Sequence, residues 1–295
     1  VAGTSPDANF YVARYTSLGV LDTTFGSNGK VTTDFGATDY GNSASIQSDG
    51  SILVTGISFT PIINNTSTAN FALVRYTPEG QPDASFGTAG LVFTSLGEHD
   101  FAYDVVVQTD GKVVVAGHTY DGTSWNFALV RYNPDGSLDT SFNTSGKVST
   151  DFGREDYAES VKLQADGKIV VAGYTLDADT TDFALARYNP DGTLDASFGN
   201  GGKVVTDFGT IDYGSSVALQ ADGKIVVAGT SQGDGVATFS LARYNPDGSL
   251  DLSFGVNGKV TTDYGLGRVA HSVLIQADGK ILLVGSANST GNGGG

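Results

Sequence analysis

The segment Phe183-Ala-Leu-Ala-Arg-Tyr-Asn-Pro-Asp-Gly192 recurs five times along the chain with small changes. Its arginine marks each copy, at intervals of 61, 56, 56 and 56 residues: Arg14, Arg75, Arg131, Arg187 and Arg243. Self-similarity at such a period is the signature of a repeat architecture in which each copy is one supersecondary unit. We therefore predict a single domain over residues 1–287, followed by a glycine-rich linker or tail at residues 288–295.

Each copy has the pattern of four short strands. Ser216–Gln220 alternates polar and apolar residues, as a half-buried strand does. An Asp-Gly turn then leads into the apolar run Lys224–Gly229, which suits a strand covered on both faces. The third strand is Thr238–Tyr244, and an Asn-Pro-Asp-Gly turn follows it. The fourth, Lys203–Phe208, mixes threonine and charge with apolar residues, which is typical of an exposed outer strand.

Four antiparallel strands per copy, joined by short turns, favour an all-β fold and specifically a β-propeller, because radial repetition leaves only short sheet edges. The chain begins with a third and a fourth strand and ends with a first and a second strand. We expect these N-terminal and C-terminal strands to pair and to close a ring of five blades. Val1-Ala2-Gly3 duplicates the end of a second strand, which is also the pattern of a segment cut from a longer array.

Composition excludes several kinds of chemistry. The 295 residues include no cysteine, so disulfides, thiolate zinc sites, iron–sulfur clusters and thiol catalysis are excluded. With 32 acidic and 16 basic side chains the formal charge is -16, which would repel nucleic acid and anionic membranes. No apolar stretch approaches the roughly 20 residues of a membrane span, and the N-terminus has no signal-peptide profile. We expect neither a nucleic-acid partner nor a membrane span.

An aspartate stands eight residues after each repeated arginine: Asp22, Asp83, Asp139, Asp195 and Asp251. The arginine shares a strand face with phenylalanine and leucine, so its side chain should be largely buried. A buried charge without a partner costs several kcal/mol. We predict five structural Arg–Asp ion pairs, one in each blade, and hold an active-site arginine as the alternative.

Two more acidic positions recur where the fourth strand leads into the next first strand. One lies twenty residues after the arginine and the other five residues further on: Asp34, Asp151, Asp207 and Asp263, then Asp39, Asp100, Asp156 and Asp212. In a propeller this connection shares a face with the loops that vary most between the copies, and variable loops on a fixed scaffold commonly bind ligands. Calcium is a candidate ligand, because it prefers carboxylate and carbonyl oxygens. The alternative is that these aspartates only cap turns; no cofactor is required.

Trp125 is the only tryptophan, and it lies in a variable loop near Tyr120 and His118. An exposed aromatic group there could stack on a sugar ring, whereas packing over the blade is the alternative. The three histidines have no metal-site spacing, so no zinc centre is indicated. No Gly-x-Ser-x-Gly motif of a serine hydrolase occurs.

The longest repeated motif runs nearly intact over Ser160–Val204 and Ser216–Val260. It resembles the delta-60 repeat, a bacterial family of tandem repeats of propeller type, and it is more weakly similar to NHL-type propeller repeats. The resemblance covers essentially the whole chain. It implies a propeller of an exported or cell-surface protein of a bacterium, and it brings no catalytic residues.

These observations favour a non-catalytic, extracellular or cell-surface propeller that acts as a structural, adhesin or assembly module. Its partners would be other copies of the protein, as a homopolymer formed by strand exchange, or a surface glycan. Two alternatives stay open. One is a lectin-like glycan-binding propeller, and the other is an enzyme acting on polysaccharide, which would need an asymmetric carboxylate cluster in one pocket.

Overall fold

A computed structural model describes residues 2–5, 7–60, 68–177, 180–233, 236–263 and 268–287. These residues form 21 β-strands and no helix, so the predicted all-β class is confirmed. Accordingly, the described part of the chain offers no helical segment long and apolar enough to cross a bilayer. The tail predicted at residues 288–295 lies outside the described residues.

The chain forms two compact units, residues 1–150 and 151–295. The first unit begins with a three-stranded antiparallel sheet: β1 (Ala2–Thr4), β2 (Phe10–Ala13) and β3 (Lys30–Thr33). One four-stranded blade follows it: β4 (Asp39–Ile46), β5 (Ile52–Phe59), β6 (Ala69–Tyr76) and β7 (Leu91–Thr94). The next blade completes the unit: β8 (His99–Val107), β9 (Val113–Tyr120), β10 (Trp125–Tyr132) and β11 (Lys147–Thr150). The single domain expected over residues 1–287 stays a prediction.

The second unit contains two more four-stranded blades. The first has β12 (Glu155–Leu163), β13 (Ile169–Leu176), β14 (Thr181–Tyr188) and β15 (Lys203–Thr206). The other has β16 (Ile211–Leu219), β17 (Ile225–Gly233), β18 (Val236–Tyr244) and β19 (Lys259–Thr262). One parallel pairing, between Thr181 and Ile211, joins the two blades. A two-stranded sheet ends the described chain: β20 (Arg268–Ile275) and β21 (Ile281–Ala287).

Burial follows strand position within each blade. In the second blade of the first unit, Val113–Ala116 of β9 and Phe127–Val130 of β10 are buried, because these middle strands have sheet neighbours on both edges and packed layers on both faces. The outer strand β11 alternates between buried and exposed residues. The hydroxyl of Tyr132, at the end of β10, donates to Thr94 Oγ1 of the preceding blade at 2.7 Å. Within the first unit, a side chain of one blade therefore completes the packing of the blade before it.

The first strand of every blade carries a β-bulge at the same place. In β12 the pairing with β13 skips Glu159 between Ala158 and Ser160. A Cβ on the opposing Gly173 would lie 1.9 Å from the carbonyl oxygen of Tyr157, so only glycine fits there. The glycine of the repeated Val-Ala-Gly motif is therefore required by the close approach of the backbone at the bulge.

The expected closure by pairing of the terminal strands stays a prediction, and the pairings of the described strands do not include it. β2 pairs with β1 on one edge and β3 on the other, and β21 pairs only with β20. The physical reason is that β1 repeats the end of a second strand: Ala2 pairs with Val12 as Ala228 pairs with Leu241. β1 therefore occupies the edge that β21 was expected to fill. The count of five blades stays a prediction.

Candidate active site

Each repeated arginine lies within hydrogen-bond distance of the aspartate eight residues later. The Nε–Oδ2 distances lie between 2.7 and 2.8 Å: Arg14–Asp22, Arg75–Asp83, Arg131–Asp139, Arg187–Asp195 and Arg243–Asp251. Each guanidinium also stacks on the ring of a phenylalanine, for example Phe142 below Arg131 at 4.4 Å. Three of the aspartates receive a second cation, the lysine of the Asp-Gly-Lys turn, as Lys112 contacts Asp139 at 2.9 Å.

These ion pairs organise the loop between the third and fourth strands. Asp139 Oδ1 accepts bonds from the backbone and hydroxyl of Ser141. Arg75 Nη1 donates to the carbonyl of Pro134 in the next blade at 2.5 Å. Burial alone would raise the pKa of Asp139, but the bonds from Ser141 and the charges of Lys112 and Arg131 hold it well below its usual value. These contacts keep the Asp139 carboxylate ionised and fixed in place.

The four aspartates at the start of the first strands are fully buried: Asp39, Asp100, Asp156 and Asp212. Each accepts the backbone N–H of the residue four positions earlier at 2.6–2.7 Å, and so holds the turn from the previous strand. Burial raises the pKa of Asp156 to about 6, although Phe152 N–H and the Thr175 hydroxyl favour the charged form. Their geometry is that of turn caps, and Asp212 in addition lies beside two further carboxylates.

The other repeated acidic position is more exposed. The carboxylates of Asp34, Asp151 and Asp207 accept the backbone N–H of the glycine two residues later, as an Asx turn does. Asp263, an exposed residue at the end of a described segment, occupies the same position after β19. Only Asp207 and Asp212 of the predicted ligand face are brought together with a further carboxylate, that of Asp182.

Trp125 and Tyr120 belong to a partly buried aromatic group in the first unit. The Trp125 ring lies 5.2 Å from the rings of Tyr120 and His118 and 5.4 Å from Phe101. Phe101 and Tyr103 stack on His118. These aromatic side chains pack on one another, so the geometry favours the alternative of packing over the blade.

The β-bulge in the first strand of each blade has the same geometry in every copy, but the residue at the bulge differs in every copy. In five strand pairings the register skips the residue at the same position of the first strand: Asn42, Tyr103, Glu159, Ser215 and His271. The residues around them repeat closely. Bulges re-aim a side chain and are frequent beside active sites. The sequence analysis did not identify this set, because a position whose residue type differs in every copy belongs to no motif. The available signal was this difference between copies in the middle of an otherwise repeated strand.

In the second unit three of these bulges lie side by side. Ser160 Oγ accepts from Val217 N at 3.4 Å, and Ser216 Oγ accepts from Val273 N at 3.2 Å. The hydroxyl of Ser215 donates to the carbonyl of Ala270 at 2.7 Å. Each of these bonds joins repeat positions that differ by one residue, so the three bulges lie at nearly the same level, with β16 between β12 and β20. The set contains one carboxyl, one hydroxyl and one imidazole: Glu159, Ser215 and His271.

Glu159 is the chemically distinctive member of the set. Its carboxyl is partly buried and has neither a hydrogen-bond nor an ion-pair partner among the described residues. Burial raises the pKa of Glu159 to about 8, because little compensates the charged form. The carboxyl is therefore protonated at neutral pH and can donate a proton to a bound molecule.

Aromatic side chains lie on the same faces of these strands. Burial alternates along β12, so Tyr157 and Glu159 share its partly exposed side, as Tyr213 and Ser215 share that of β16. The ring of Tyr174 stacks on Tyr157 at 5.0 Å and meets Tyr213 edge-on at 5.1 Å. An aromatic surface beside proton donors and acceptors can hold a polyhydroxylated ring.

The fold is similar to that of several solved enzymes. A glucose dehydrogenase matches 95% of this chain and 88% of its own, with 10% identity and a TM-score of 0.53. A gluconolactonase from Xanthomonas campestris matches 97% and 94%, with 9% identity and a TM-score of 0.41. A glycoside hydrolase matches 96% and 72%, with 14% identity and a TM-score of 0.39. Curated protein sequences include no match to the chain.

The expectation of a non-catalytic module is corrected by this comparison. The glucose dehydrogenase, whose TM-score exceeds 0.5, is an enzyme on the same fold, so the repeated scaffold does not indicate a protein without catalytic activity. The expectation failed because identical copies were taken to exclude an asymmetric site, whereas the bulge residues differ from copy to copy. The surface location, the glycan or self-association partners and the strand-exchange polymer stay predictions.

A family model matches the repeated motif in five places, residues 47–86, 108–142, 164–198, 220–254 and 276–295. Together these segments make up more than half of the chain. The description of the family supports a propeller repeat and leaves the delta-60 name a prediction. The chain belongs to the family described as a domain of unknown function (DUF5122) beta-propeller.

Proposed function

We propose that the protein is an enzyme that hydrolyses a glycosidic bond, with Glu159 as the proton donor. The observation that carries this proposal is the partly buried carboxyl of Glu159, which has no partner among the described residues. It lies at a bulge beside that of Ser215, which in turn lies beside that of His271. Most glycoside hydrolases use two carboxyl groups, one of which is a protonated acid for the leaving oxygen. In the proposed site Glu159 acts alone, first as this acid and then as the base that takes a proton from water.

The proposed reaction is balanced by water. Glu159 transfers its proton to the glycosidic oxygen while the bond from that oxygen to the anomeric carbon breaks. The oxygen of a water molecule then bonds to the anomeric carbon, and the proton released from that water returns to Glu159. The products are two hydroxyl compounds, and the carboxyl is restored.

A carbohydrate suits the surroundings of Glu159 better than an apolar substrate. Tyr157 and Tyr213 offer ring faces, while the Ser215 hydroxyl and the exposed His271 offer hydrogen-bonding groups at the same level. The similarity to a glucose dehydrogenase shows the fold alone, and it suggests glucosides as the first compounds to test.

The test is hydrolysis of a panel of aryl glycosides by the full chain, followed through phenolate release. We expect turnover of at least one glycoside, and Glu159→Gln should lower its kcat by about 10²–10⁴. Glu79→Gln, the same change at an exposed glutamate, is the matched control and should leave kcat unchanged. No turnover of any glycoside, or equal rates for the wild-type protein and the Glu159→Gln variant, would overturn the proposal.

A further inference from the structure

Three carboxylates meet in the second unit, away from the bulge residues. Asp182 lies in β14, Asp207 follows β15 and Asp212 lies in β16. One carboxylate oxygen of each lies within 4.8 Å of the other two. Asp182 and Asp212 are buried, and Asp207 is exposed, so the group can be reached from solvent on one side.

This grouping is specific to one blade. Asp182 stands five residues before the repeated arginine, where the other copies have a neutral residue: Asn9, Asn70, Asn126 and Thr238. Asp207 and Asp212, in contrast, occupy positions that are acidic in most copies. One change from a neutral residue to aspartate therefore creates the cluster, and the repeated fold does not require it.

The charges of the cluster are only partly compensated. Arg154 Nη1 lies 2.9 Å from Asp182 Oδ2, and Arg154 Nη2 lies 3.2 Å from Asp177 Oδ2. The Arg154 guanidinium therefore forms ion pairs with two carboxylates, those of Asp177 and Asp182. Asp207 and Asp212 add two more negative charges. Burial, and then the charges of Asp207 and Asp212, raise the pKa of Asp182 against the opposing effect of Arg154.

A buried oxygen in the cluster has no partner. Asp182 is only 5% exposed, and its Oδ1 makes no hydrogen bond in the described part of the chain. Asp212 differs, because its two oxygens accept from Phe208 N and the Thr210 hydroxyl at 2.7 Å each. An unpartnered buried carboxylate oxygen costs free energy unless a cation or a proton satisfies it.

We propose that Asp182, Asp207 and Asp212 bind a divalent cation of the calcium class. Carboxylate oxygens are hard ligands, and Ca²⁺ tolerates an irregular set of three protein ligands completed by water better than Mg²⁺, which demands a near-octahedral shell. The four carboxylates and Arg154 leave an excess of three negative charges, and a divalent cation would compensate two of them. The proposal is independent of the hydrolytic activity.

The test is calorimetric titration of the full, chelator-treated chain with CaCl₂ and, separately, MgCl₂. We expect one Ca²⁺ per chain and weaker binding of Mg²⁺. Asp182→Asn should weaken Ca²⁺ binding by at least about tenfold, because it removes one of three charged ligands. This variant should fold, since asparagine occupies the same position in three other copies. Asp166→Asn, at an exposed turn, is the matched control and should bind as the wild type does.

Two results would overturn the cation site. One is the absence of binding heat up to about 10 mM Ca²⁺, which is about tenfold above the weakest dissociation constants of protein calcium sites. The other is an unchanged Ca²⁺ affinity in the Asp182→Asn protein. Circular dichroism establishes that the variant is folded. If it is not, Asp207→Asn at the exposed ligand replaces it, with the same expected loss.

Discussion

Arg131 Nε and Asp139 Oδ2 are 2.7 Å apart, and both side chains are more than nine-tenths buried, with exposures of 6% and 7%. The equivalent pair Arg14–Asp22 has a similar distance of 2.8 Å but exposures of 31% and 23%. The same two residue types in the same loop therefore experience two environments. Removing one partner of a buried pair leaves an uncompensated charge, whereas solvent screens an exposed one.

We predict that Asp139→Asn lowers the free energy of unfolding by about 3 kcal/mol, because it strands Arg131 and Lys112. Asp22→Asn should cost clearly less. Urea denaturation of the two variants measures their free energies of unfolding, and Asp22→Asn serves as the control for Asp139→Asn. Equal losses would show that burial does not set the strength of these pairs.

Glu159 should make stability depend on pH at the alkaline end. Its folded pKa of about 8 lies above the usual value of 4.5, so between these values the folded state binds more protons than the unfolded state. The stability that the protonated carboxyl contributes is therefore complete below about pH 4.5 and is lost as the pH rises through 8.

We expect Glu159→Gln to be more stable than the wild type by about 1–3 kcal/mol at pH 9, and nearly equal to it at pH 4.5. Thermal unfolding at the two pH values tests this, with Glu79→Gln as the exposed control. A difference of the same size at both pH values would mean that the effect comes from packing rather than from ionisation.

Most of the fold could be predicted from the repeat period and from the alternation of polar and apolar residues, because every copy has the pattern of the same four strands and turns. The Arg–Asp spacing of eight residues is likewise readable, since the turn between them brings both side chains to one loop. The role of Glu159, in contrast, could not be predicted from the sequence. Its role depends on a bulge and on desolvation by surrounding strands, and neither leaves a residue motif. The pairing of β1 with β2 was not predicted, because Val1-Ala2-Gly3 was treated as the remnant of a second strand.

The bulge itself can be tested through the glycine opposite it. Gly173→Ala would place a Cβ 1.9 Å from the Tyr157 carbonyl oxygen, which is backbone and cannot rotate away. We predict a loss of about 3 kcal/mol, at the upper end for overpacking. The control is Gly3→Ala, at the same position of the repeated motif but with nothing within 4 Å, which should change stability by less than about 0.5 kcal/mol. Comparable losses from both substitutions would contradict a role of the bulge.

Tyr213 should contribute to substrate binding rather than to the chemical step. Its ring is 39% exposed and meets Tyr174 edge-on at 5.1 Å, on the same side of β16 as Ser215. Removing a ring face that holds ground state and transition state alike raises KM and leaves kcat unchanged. We therefore predict that Tyr213→Ala raises KM for the best aryl glycoside about tenfold, equivalent to about 1.4 kcal/mol of stacking, with kcat within about twofold.

The control is Tyr40→Ala, which removes the equivalent ring of the first unit. Tyr40 is 41% exposed, and its removal should leave both KM and kcat unchanged. Steady-state kinetics of the two variants test this prediction. An equal rise of KM in both variants, or an unchanged KM in Tyr213→Ala, would place the substrate elsewhere than on the Tyr157–Tyr174–Tyr213 surface. A fall of kcat in Tyr213→Ala alone would contradict a role in binding only.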